Sequence, residues 1–127
     1  MMLPMTTSVA ISEGSLVSWS SGRLIAATSS TACNLIAGVI RKTLTSASTE
    51  YTTNSTVPVE VPVETNVEWS FLGASLSTST VGTYLDISNA YTVNGGASTY
   101  DVVFHTGYLS ATRGIGILNI GPAGAVK

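Results

Sequence analysis

From Val57 to Phe71 apolar residues recur at every second position: Val57, Val59, Val61, Val63, Val67, Trp69 and Phe71, with Thr65 as the one interruption. The residues between them are Pro58, Glu60, Pro62, Glu64, Asn66, Glu68 and Ser70. A period of two gives an extended strand one apolar face and one wet face. A helix would scatter these residues round its circumference and put two prolines in its interior, at roughly 3 kcal/mol each. The pattern therefore predicts one long strand. Because proline has no N–H for a ladder, it predicts an edge strand, or one whose proline side faces solvent.

Shorter segments flank this one. Leu16 to Trp19 and Arg23 to Ala27 are apolar-rich and joined by Ser20-Ser21-Gly22, a hairpin signal. Val9 to Ile11 reads as a short strand and Glu13-Gly14 as a turn. Asn34 to Thr43 has an ambiguous period, helical turn or strand, and Gly38 with its β-branched neighbours tilts it to strand. Ser46 to Thr56 and Leu72 to Thr80 are rich in Ser and Thr and read as connections, the first a loop or long hairpin tip. Gly82 to Ile87 alternates as a strand, and Gly107 to Ser110 and Ile115 to Ile120 have strand character. Between Tyr91-Thr92-Val93 and Ser98 to His105 lies Asn94-Gly95-Gly96, a strong two-residue hairpin signal. Residues 1–8 read as a loose N-terminal arm and residues 121–127 as a tail. Roughly eight to ten short strands with frequent turns predict a single all-β domain over residues 1–127. Its expected form is a compact antiparallel β-sandwich or small β-barrel with short loops.

Composition changes the picture in one respect. Of the 127 residues 44% are hydrophobic but only 9% charged, against roughly 25% charged in an average soluble domain. Ser and Thr together exceed a quarter of the chain, so the wet faces carry hydroxyls rather than ions. Such a surface is covered by neighbours at low cost, because few charges lose water on contact. Net charge is −2, and the five basic residues form no cluster beyond Arg41-Lys42. Nucleic-acid binding, which needs a basic footprint, is not expected. No apolar run reaches the roughly 20 residues of a membrane helix, and Met1-Met2-Leu3-Pro4-Met5 lacks the charged and apolar regions of a signal peptide.

Candidate chemistry is sparse. His105, the one histidine, lies four residues from Asp101 on a predicted strand, beyond hydrogen-bond reach at roughly 3.3 Å per residue. Cys33, the one cysteine, has no second thiol for a disulfide or a CxxC site and reads as a small buried hydrophobe. Glu60, Glu64 and Glu68 would lie roughly 13 Å apart along a strand, too far for a glycosidase pair. That row reads as a solvated face or as an acidic stripe toward a basic partner. No catalytic, metal or cofactor site is expected. The candidate contact residues are Met1, Met2, Leu3 and Met5 in the arm, Glu60, Glu64 and Glu68 on the strand, and Tyr51, Tyr91, Tyr100 and Tyr108, since tyrosine is enriched at interfaces.

The order of segments carries a resemblance. Gly14-Ser15-Leu16-Val17 leads to Ser21-Gly22-Arg23-Leu24, then to Ile36-Ala37-Gly38-Val39-Ile40, Val59-Glu60-Val61-Pro62-Val63-Glu64 and Val67-Glu68-Trp69. Val81-Gly82-Thr83-Tyr84-Leu85-Asp86 and Gly107 to Arg113 follow. This resembles the small head decoration, or cement, proteins of tailed bacteriophages. The motifs are loose β patterns over most of the chain. The resemblance implies a β-rich fold, a homotrimer or dimer, and binding to the outer surface of the phage capsid where major capsid protein subunits meet. It implies a virion protein made in the host cytoplasm, with no catalytic residues. Two alternatives stand beside it: another virion component (tail-tube, head-fibre or adaptor protein) and, from a different class, a carbohydrate-binding β-sandwich or small hydrolase.

Overall fold

The computed structural model describes residues 1–61 and 67–119. Among them are ten strands: β1 (Met2–Pro4), β2 (Leu16–Ser20), β3 (Arg23–Ala26), β4 (Ile36–Ile40), β5 (Thr56–Glu60), β6 (Glu68–Ala74), β7 (Tyr84–Asn89), β8 (Thr92–Asn94), β9 (Val103–Ser110) and β10 (Arg113–Leu118). One helical turn, α1 (Thr49–Thr52), lies in the Ser/Thr-rich link between β4 and β5. The fold is all-β, in two units of five strands. The first is a sheet of order β1-β5-β4-β2-β3, and the second a closed barrel of order β10-β6-β8-β7-β9. The first sheet curls until its two edges touch: Met5 bridges Leu24, and the Thr6 N–H donates to the Leu24 carbonyl at 2.9 Å.

The β2–β3 hairpin forms as its sequence demands. Ser20 pairs with Arg23, leaving Ser21 and Gly22 as the turn, with positive φ of 51° and 80°. Two positive φ values match the right-handed twist of the strands, and glycine adopts one without strain.

β4 is buried along its whole length and separates two cores. Ala37 and Ile40 join Met5, Val17, Leu24, Val57 and Val59 inside the first sheet. Ile36 and Val39 face the barrel residues Leu85, Ile87, Val93 and Val103. An apolar run with no polar alternation is what a strand covered on both sides requires. A register shift opposite β2 lets the face change along the strand. At Gly38 a side chain would collide with the Glu60 carbonyl oxygen, so glycine permits the close approach of β5.

Five expectations are corrected. The predicted long strand is two: β5 belongs to the first sheet and β6 to the barrel. The alternation persists on both pieces, with Val57 and Val59 buried on β5 and Trp69 and Phe71 half-buried on β6. Each piece keeps one face inward but against a different core. β5 is also internal rather than an edge. Pro58 is tolerated because its carbonyl takes the Arg41 N–H just past the end of β4, so the missing donor falls where that ladder stops. The expected loose arm is instead structured. β1 pairs with β5 through Met2, Leu3 and Pro4, Met5 is wholly buried, and the Met1 ammonium donates to the Val59 carbonyl at 3.1 Å.

Asn94-Gly95 forms no hairpin between β8 and β9. The turn lies earlier, at Ala90-Tyr91 between β7 and β8, where the Asn89 side chain accepts the Tyr91 N–H at 3.0 Å. Gly95 instead approaches the Ser75 carbonyl so closely that no side chain would fit. Finally, the pairing is not wholly antiparallel, since β6 and β8 run parallel.

Candidate functional site

Inside the barrel, β10 explains the sequence Arg113-Gly114-Ile115-Gly116-Ile117. A Cβ at Gly114 would lie 2.8 Å from the Phe71 ring and 2.9 Å from His105 Nε2, and one at Gly116 would lie 2.9 Å from Phe71. The two glycines make room for the Phe71 ring on the neighbouring strand, which packs edge-on to His105 at 5.6 Å between centroids. His105 is wholly buried. Its Nε2 donates to the Gly107 carbonyl at 2.9 Å, and Nδ1 is 2.9 Å from the Thr80 hydroxyl. Both ring nitrogens are thus engaged in holding the barrel together.

Asp86 on β7 is equally occupied. It is buried, and its carboxylate accepts the backbone N–H groups of Thr99, Tyr100 and Asp101 at 3.0, 2.6 and 3.0 Å. That clamps the link before β9, where Asp101 has a φ of 56°. Asp101 and His105 are not hydrogen-bonded to one another among the described residues. Cys33 is half-buried rather than buried as expected. Among the described residues no three His, Cys, Asp or Glu side chains converge on a metal-sized site. No helix among them is long and apolar enough to cross a membrane.

The sequence-predicted contact residues scatter. Met1 and Met2 are exposed at 76% and 57%, while Leu3 is half-buried and Met5 is core. Tyr91 and Tyr108 are exposed, whereas Tyr51 and Tyr100 are half-buried. The acidic row is broken between the two sheets: Glu60 pairs with Arg41 at 2.9 Å, and Glu68 accepts the Thr106 hydroxyl at 2.6 Å. Glu64 lies outside the described residues.

Two surface features emerge instead. The first is an apolar end of the barrel. Leu72 on β6 pairs with Arg113 on β10 and with Thr92 on β8, and Arg113 pairs in turn with Ser110 on β9. Tyr91 directly precedes Thr92, and Tyr108 and Leu109 directly precede Ser110, so four exposed large apolar residues lie within two positions of these pairings on the barrel surface. Leu109 is raised by a bulge: Ser110 and Tyr108 both have partners on β10 and Leu109 has none. Bulges re-aim side chains in this way. The sequence reading missed Leu72 and Leu109. The signals were there: Leu72 falls on the wet side of the alternation after Glu68 and Ser70, and Tyr108-Leu109 puts two bulky apolar residues side by side.

The second feature is a cleft of about 450 Å³ where the barrel mouth meets β2 and β4. Its floor includes the buried Leu16, Val39, Ile87, Val93 and Val103, and its walls include Trp69 and Phe71. Glu13, Arg41 and Arg113 stand exposed at its lip. The Arg41 guanidinium lies 5.8 Å from the Trp69 ring centroid. Compared with protein-family models, with curated proteins and with solved structures, the chain shows no match in any of the three.

Proposed function

We propose that this chain is a capsid decoration protein of a tailed bacteriophage. It binds the outside of the head and stabilises contacts between major capsid protein subunits without chemistry of its own. The observation that carries this reading is the apolar end formed by Leu72, Tyr91, Tyr108 and Leu109 on a chain with few charges. Exposed apolar groups brought together mark contact surfaces, and aromatic anchors commonly dominate the binding energy. The engagement of His105 and Asp86 in the barrel's own hydrogen bonds supports a structural role. The segment resemblance described above gives the partner, and with it assembly as a homotrimer. An oligomer multiplies weak contacts, because the second and third become intramolecular.

Adding the purified chain to expanded heads that lack it tests the reading. Saturating protein should raise their heat-disruption temperature, and Leu109→Ser combined with Leu72→Ser should abolish the gain. Heads that bind nothing, or whose disruption temperature stays constant at saturation, would overturn it.

A further inference from the structure

The cleft at the barrel mouth shares Leu72 and Tyr91 with the apolar end, but its buried floor and its arginines have no role in the decoration reading. We propose that it is a binding site for an amphipathic carboxylate, a molecule with an apolar chain and one anionic end. Its volume of about 450 Å³ falls within the few hundred to about 1,000 Å³ typical of small-molecule sites, and barrel mouths are a common place for them. The floor is made by apolar side chains from both sheets, so it can cover an alkyl chain.

The charges at the lip select the head group. Arg41 and Arg113 carry two guanidinium groups there; among the described residues Glu13 is the one carboxylate of the lining, and Glu60, outside it, takes only the Nε edge of Arg41. Arg41 is held in place, with Nε donating to Glu60 at 2.9 Å and the guanidinium against Trp69. Its two terminal NH₂ groups make no hydrogen bond among the described residues. Arg113 makes no salt bridge among them. A guanidinium with spare donors pairs well with a carboxylate, whereas a cationic amphiphile would meet two like charges.

Trp69 in the wall supplies the readout. On a Trp19→Phe background it is the one indole left, and its fluorescence can follow titration with decanoate, decan-1-ol or decylamine below their micelle concentrations. Decanoate should give a saturable change, with decanol at least about ten-fold weaker and decylamine weaker still. Affinity should climb roughly three- to four-fold per methylene from hexanoate to decanoate. Arg113→Gln should bring decanoate close to decanol, while Lys42→Gln, away from the cleft, should leave the discrimination intact. A decanoate-induced rise in melting temperature of the unaltered chain checks the result without any substitution.

Equal affinity for acid and alcohol, or discrimination that survives Arg113→Gln, would overturn the proposal. So would saturable binding of an apolar peptide ending in Asp with none of decanoate, which would assign the cleft to a protein partner. All of these measurements use the free chain, so their failure is separate from a failure to bind heads.

Discussion

Asp86 accepts three backbone N–H groups on one buried carboxylate. Asp86→Ala leaves all three without a partner and should cost about 2–4 kcal/mol in urea unfolding. Asp86→Asn, which keeps one acceptor oxygen, should fall between. Gly114→Ala drives a methyl into the space of Phe71 and His105 and should cost about 1–3 kcal/mol. Adding Phe71→Leu should recover part of that loss, and a double-mutant cycle would read the coupling directly. Local pattern predicts a strand at Asp86, and at Gly114 only the gap before the Ile115 to Ile120 segment, and it shows neither role. The need for glycine at position 114 is visible only once Phe71, more than forty residues earlier, is placed beside it. Spacing puts His105 out of hydrogen-bond reach of Asp101, but its partners Thr80 and Gly107 are invisible to spacing.

At the scale of elements, alternation, turn chemistry and apolar runs were legible, and pairing was not. The two-residue turn at Ser21-Gly22 and the presence of a strand within Asn34 to Thr43 follow from local composition, though not the burial of β4 on both sides. The division of the 57–71 segment between two sheets does not, because its alternation stays in phase on both pieces. The arm was misread for a related reason. Three residues are too few to show a period, and β1 exists only because β5 lies beside it. Met5→Ala should therefore cost about 2–4 kcal/mol, as for a core position. A loss within about 0.5 kcal/mol, usual for an exposed site, would restore the loose arm.

The turn α1 is tied to the end of β4 by Lys42 and Glu50 at 2.6 Å. The Lys42 hydrogen bond, helped by one from the backbone, lowers the Glu50 carboxyl below its ordinary 4.5. A carboxyl lowered on folding stabilises the native state above that value, and the contribution fades as pH falls through the native value. The melting-temperature difference between the unaltered chain and Glu50→Gln should thus be present at pH 7 and vanish in strong acid.

Over the whole molecule, the sequence predicted the all-β class and the hydroxyl-rich, ion-poor surface, because both are sums over many residues. Neither the apolar barrel end nor the cleft was predicted. Each brings together side chains from strands distant in sequence, and the position of Leu109 depends on a bulge. The central claim is that the chain works by attaching its apolar barrel end to a larger shell. A reconstruction of the virion that carries this chain tests it most directly. The account predicts ten-stranded density on the outer surface of the head, with Leu72, Tyr91, Tyr108 and Leu109 turned toward the major capsid protein or a neighbouring copy. Heads without that density, or density whose Leu109 end points into solvent with no contact, would contradict it.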